Sequence, residues 1–116
     1  MMNIESFREY CIAKKWVTEE FPFDKTTLVY KVAGKIFALT DIDDFTIINL
    51  KCDPELAMEL REQYDAVLPG YHMNKKHWNT IVIDGTIIDD YIYQWIDDSY
   101  NLVLGKLSKK EKLLLR

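Results

Sequence analysis

The run from Pro69 to Thr80, Pro-Gly-Tyr-His-Met-Asn-Lys-Lys-His-Trp-Asn-Thr, concentrates the side chains of this protein that can stack, hydrogen-bond and carry positive charge. It holds both histidines, one of three tryptophans, two adjacent lysines and two asparagines. Ammonium groups attract phosphate, carboxamides hydrogen-bond to sugar or base edges, and an aromatic ring offers a stacking surface, which together make up a nucleic-acid contact. The candidate contact residues are Asn74, Lys75, Lys76, His77, Trp78 and Asn79, joined by Lys35 from elsewhere in the chain. A plainer reading competes: Lys75 and Lys76 as a hydrophilic turn, with Trp78 packed inward.

Other chemistries fit the residues less well. A spacing of five puts His72 and His77 on opposite faces of a strand and far apart around a helix, and no third ligand lies nearby, so no metal site is expected. Cys52 with either histidine would form a nucleophilic pair only if the fold brought them together. Glycine motifs for nucleotides and the GxSxG nucleophile turn are missing, so neither a catalytic residue nor a cofactor is expected. Asp41, Asp43 and Asp44 lack the closing glutamate of a calcium loop and read as a solvated turn. Asp89 with Asp90 and Asp97 with Asp98 read as a helix start and a solvent face, and Tyr91, Trp95 and Tyr100 as core or interface.

Positioning such a cluster needs a folded scaffold. A chain of 116 residues, 48% hydrophobic, suits a single domain spanning 1–116 with a real core. No run approaches the roughly 18 to 20 apolar residues that cross a bilayer, and two lone cysteines, Cys11 and Cys52, read as reduced thiols. A soluble, cytoplasmic protein with no membrane partner is the expectation. The net charge is −4, but residues 106–116 carry five Lys/Arg against one acid. Positive charge is therefore local, and any polyanion must be met by a patch.

Local signals divide the chain into elements. Asn3 caps a first helix with Ile4, Phe7 and Cys11 on one face and Lys14 and Lys15 at its end. Residues 16–24 read as a link, with Phe21 and Phe23 clamping it to the core, because Pro22 and the pair Glu19 and Glu20 break the pattern. Residues 27–32 and 36–40 read as a hairpin with Lys35 near its tip, and 45–51 as a third strand. Asp53 and Pro54 start a second helix that closes near Tyr64, and Pro69 with Gly70 suits a type II turn. Strands from Tyr71 and over 77–83 follow, then a long helix capped by Asp89 and ended by Gly105. Ser108 and Glu111 form a capping box for a short basic helix. The order α-β-β-β-α-β-β-α gives an α+β two-layer sandwich, helices on one face of an antiparallel sheet and the other face open.

The run Pro69 to Thr80 resembles the signature of the MmcQ/YjbR family of small bacterial proteins. The likeness extends to Phe21-Pro22-Phe23, Val29-Tyr30-Lys31-Val32, Gly34-Lys35, Phe37-Ala38-Leu39 and Asn49-Leu50-Lys51-Cys52-Asp53-Pro54. It continues through Ser99-Tyr100-Asn101-Leu102-Val103 and Leu107-Ser108-Lys109-Lys110, with Ser108 standing where the family often has proline. The resemblance implies a CyaY-like two-layer fold and a non-enzymatic DNA-binding role through a double wing of β-hairpins. On that reading Lys35, Lys75 and Lys76 contact phosphate, Asn74 and Asn79 reach sugar or base edges, and His77 or Trp78 stacks or packs. Two alternatives stand beside it. One is a homodimer or protein-interaction module using the open sheet face. The other, weaker, is binding of a small molecule such as a drug in an apolar pocket.

Overall fold

The computed structural model describes residues 1–70 and 73–115. α1 (Ile4–Ile12) begins with a reciprocal cap: Asn3 Oδ1 accepts the Ser6 N–H at 2.8 Å while Ser6 Oγ accepts the Asn3 N–H at 3.0 Å. It buries Phe7 and Cys11, and it ends before Lys14 and Lys15, which lie beyond its last turn. The link expected next is partly a strand, β1 (Val17–Glu20), paired antiparallel with β2 (Thr27–Val32) in the register Val17 to Val32 through Glu20 to Val29. The acids that break the apolar pattern have tertiary partners. Glu19 accepts two bonds from the Arg8 guanidinium, at 2.8 and 3.1 Å, and one from the Tyr30 hydroxyl at 2.8 Å. Burial alone would raise the Glu19 pKa, but the bonds from Arg8 and Tyr30 outweigh it and hold the carboxyl below its usual range. Phe21 and Phe23 do not clamp the segment, being 46% and 67% exposed.

β2 turns into β3 (Lys35–Asp41) through Ala33 and Gly34, both left-handed at φ 50° and 77°, as a two-residue hairpin requires. β4 (Ile47–Lys51) leads to α2 (Pro54–Gln63), where Asp53 caps the Leu56 N–H. The next strand is β5 (Val67–Pro69), earlier than the expected start at Tyr71, and Tyr71 and His72 lie outside the described residues. β6 (Trp78–Val82), α3 (Asp89–Gly105) and α4 (Lys109–Leu113) complete the chain. Ile88, not Asp89, is the N-cap of α3. The Asp89 carboxylate instead accepts the Met2 N–H at 3.0 Å, tying the two helix starts together.

The six strands run β1-β2-β3-β4-β6-β5, each neighbouring pair antiparallel. Leu28, Tyr30, Phe37, Ala38, Ile48, Leu50 and Ile81 meet Phe7, Ile92, Ile96, Tyr100 and Val103 in the core between sheet and helices. This is the α+β architecture that the order of elements implied, with one strand more. The register between β2 and β3 slips after Tyr30 and Ala38, leaving Phe37 as an extra residue that stacks edge-on against Tyr100 at 5.3 Å. Beyond Ala38 and Leu50 the β3 and β4 strands have no further paired residues. The buried Ser99 hydroxyl of α3 fills that fork, accepting the Lys51 N–H at 2.9 Å and donating to the Phe37 carbonyl at 2.5 Å.

Gly70 is not left-handed, so positive φ is not what it supplies. Its N–H donates to the Trp78 carbonyl at 3.0 Å, and a Cβ there would stand 2.8 Å from Trp78 Cβ and 3.1 Å from the same carbonyl oxygen. Glycine is needed because β6 passes too close for a side chain. Gly70→Ala is expected to cost about 1–3 kcal/mol through this overlap. Urea denaturation checks it: a lower midpoint at unchanged slope is predicted, and an unchanged midpoint would contradict the packing argument.

Candidate nucleic-acid interface

Antiparallel connection sorts the turns into two ends of the sheet. At one end lie the 33–34 turn, the end of β4, the loop into β6 and the last turn of α3; at the other lie the 41–46 turn, residues 83–88 and the start of α3. The second end carries Asp41, Asp43, Asp44, Asp84, Asp89 and Asp90, and is held together by the Ile83 N–H donating to the Thr46 carbonyl at 2.8 Å. The first carries Lys35, Lys51, Lys75, Lys76, Lys106 and the lysines of α4. A chain with net charge −4 thus gathers lysines at this end of the sheet.

A surface groove of ≈ 450 Å³ at the basic end is lined by Gly34, Lys35, Lys51, Trp78, Lys106 and Leu107, among others. The pKa of Lys51 is lowered first by burial and then by the positive charges of Lys106 and Lys35, which line the same groove. Glu111 stands 3.9 Å from Lys35 Nζ, and Asp98 lines a neighbouring cavity with Lys51. Lys35, Lys51 and Lys106 around one groove outnumber the acid paired with them there, which favours an anion.

The residues singled out in sequence divide between surface and interior. Lys35, Asn74, Lys75 and Lys76 are exposed. Asn74 Oδ1 accepts the Lys76 N–H at 3.0 Å, so its side chain fixes the turn that presents the two lysines. His77 is half-buried, its carbonyl accepts the Cys52 N–H at 2.7 Å, and its Nδ1 is buried with no hydrogen-bond partner among the described residues. Trp78 and Asn79 are 8% and 2% exposed, so Trp78 packs, one of the two roles expected of it, while the expected contact of Asn79 with sugar or base edges is corrected. They start β6, an interior strand between β4 and β5, and are covered on both sides. Asn79 spends its amide inside, accepting from Arg61 Nε at 2.7 Å and donating to the Ala57 carbonyl at 3.4 Å.

Arg61 is the residue that sequence reading passed over. From the last turn of α2 its guanidinium bonds Asn79, the Trp78 carbonyl at 3.1 Å and the Lys75 carbonyl, fastening the lysine turn to the helix. Its only sequence signal is a basic residue in a final helical turn, which dipole complementarity explains equally well. Lys51 and Lys106 were missed for a different reason, being distant in sequence from the cluster they join. Cys52 and His77 do become neighbours through the backbone, but burial, then Asp53 and Asp98, push the thiol up to about 11, leaving it protonated at neutral pH. Among the described residues no group of three His, Cys, Asp or Glu side chains is arranged to hold a metal ion, and no helix is long and apolar enough to cross a membrane.

Fold and site together define a small α+β protein with an open antiparallel sheet and one lysine-rich end. The YjbR family model matches residues 12–102. The chain is 34% identical over 115 residues to the Escherichia coli K12 protein named uncharacterized protein YjbR, covering 98% of each. It superposes on the crystal structure of Deinococcus radiodurans DR2400 with a TM-score of 0.92 at 38% identity, covering 99% of this chain and 88% of that one. A Pseudomonas syringae protein gives 0.74 at 30% identity, with 88% and 99% covered. The chain belongs to the YjbR family.

Removing the Arg61 fork takes one donor from each of the Asn79 amide oxygen, the Trp78 carbonyl and the Lys75 carbonyl, and of these the Trp78 carbonyl keeps the Gly70 N–H. Arg61→Ala should therefore destabilise the fold by about 2–3 kcal/mol, and Arg61→Lys should recover only part of that, since an ammonium cannot span three acceptors in one plane. Denaturant midpoints for the two variants test this, and full recovery by lysine would contradict the assignment.

Proposed function

We propose that the protein binds DNA through the lysine-rich end of its sheet, without catalysis. The observation that carries this reading is the grouping of Lys35, Lys51 and Lys106 around one groove, with the α4 lysines beside it and Lys75 and Lys76 on the α2 flank. The 33–34 hairpin tip and residues 73–77 lie at that end, on either side of the end of β4. That arrangement supports a double-wing contact with the phosphate backbone. The acidic turns lie at the far end, so the negative net charge does not oppose a phosphate chain where it would dock.

The opposite sheet face supports self-association less well. The Glu20 to Lys31 ion pair at 3.4 Å and the Thr80 to Asn49 hydrogen bond at 2.6 Å interrupt it, so the face is not continuously apolar.

Fluorescence anisotropy with a labelled 20-base-pair duplex tests the DNA reading. If about four phosphates are neutralised, affinity should fall about a hundredfold between 50 and 200 mM salt. Lys35→Gln combined with Lys106→Gln should flatten the log-log slope by about two. Absence of binding at the lower salt would refute the proposal.

A further inference from the structure

Trp78 is buried, while Trp16 at the same end is 46% exposed. Trp16 has φ 65°, a left-handed conformation that a bulky side chain rarely adopts and that its surroundings must impose. The imposing contacts come from α3. The Tyr100 hydroxyl donates to the Lys15 carbonyl at 2.6 Å, and Lys14 pairs with Asp97 while lying 4.7 and 5.3 Å from the Tyr10 and Tyr100 ring centres. Held by this turn, the indole forms one wall of a groove of ≈ 550 Å³. Leu104, Gly105 and Leu115 supply its apolar lining, and Asn101 and Lys112 its polar groups. Lys15 Nζ stands 6.0 Å from the indole centre.

An exposed indole beside an apolar groove, flanked by two lysines, suits a flat aromatic group carried on an anionic chain. We infer that Trp16 is a stacking platform for an unpaired base of a single-stranded nucleic acid, an assignment that rests on the lysine-rich end being a DNA contact. Charge complementarity selects this occupant: Lys15 and Lys112 flank the groove and Lys106 adjoins it through Gly105, so a phosphate chain following the lysines passes the indole. A base in a duplex has its faces covered by neighbouring bases and cannot stack there, so the platform favours single strands.

Three labelled probes at low salt test the inference: a 15-residue oligothymidylate, an abasic sugar-phosphate chain of equal length and charge, and a 15-base-pair duplex. The wild-type protein should bind the oligothymidylate about tenfold more tightly than the abasic chain. Trp16→Ala should abolish that difference while leaving the abasic and duplex affinities unchanged, and Trp16→Phe should keep most of it. Equal binding of the oligothymidylate and abasic chain by wild type overturns the inference alone, whatever the variants do. Equal weakening of all three probes by Trp16→Ala also overturns it, by assigning the indole a structural role. Stronger, Trp16-dependent binding of an oligoglutamate peptide of matched charge would replace the nucleobase with an acidic peptide. Failure of every nucleic-acid probe to bind overturns the DNA reading and this inference together.

Discussion

Where β3 and β4 part, the Phe37 carbonyl and the Lys51 amide lose their strand partners, and the Ser99 hydroxyl serves both from the middle of α3. Ser99 is fully buried, so a carbonyl or amide left unpaired there would cost about 1–3 kcal/mol. The helix is thereby fixed in rotation and along its axis over the fork of the sheet. Its last turn is delivered to the end where Lys51 emerges from β4, which brings Lys106 beside Lys51 and Lys35. The bulge at Phe37 is part of the same constraint, because it turns an extra aromatic into the core against Tyr100, one residue along from Ser99.

Once α3 is seated, charge separation follows from topology. Each strand begins at one end of the sheet and finishes at the other, so turns that alternate in composition along the chain sort into an acidic end and a basic end. Burial of the Lys51 ammonium, and after it the repulsion from Lys106 and Lys35, lowers the Lys51 pKa and opposes folding. Arg61 plays the complementary part, holding the turn that carries Lys75 and Lys76 against α2. The basic end is thus built on a rigid frame, which is what precise contact with a charged chain requires.

What was legible in sequence was what is decided locally. The caps at Asn3, Asp53 and Ser108 form as read, because each needs only a side chain and an amide about three residues on. β1 was not legible, since Glu19 and Glu20 look like loop residues until Arg8, Tyr30 and Lys31 arrive from elsewhere. The burial of Trp78 and Asn79 depends on β6 lying inside the sheet, which no feature of 69–80 encodes. Trp16 was invisible for the same reason: its conformation is set by Tyr100 and Asp97, more than eighty residues away. The run that first drew attention therefore combines two functions, exposed lysines on a turn and buried residues that anchor it.

The most direct measurement of the central claim is a two-dimensional amide spectrum recorded while DNA is added at low salt. Shifts should concentrate at Gly34, Lys35, Lys51, residues 73–77 and the segment from Gly105 to Leu113, with the amides of Asp41 to Thr46 and Asp84 to Asp89 unmoved. Perturbations centred on the acidic turns or on the middle of the open sheet face, or none at all, would contradict the account.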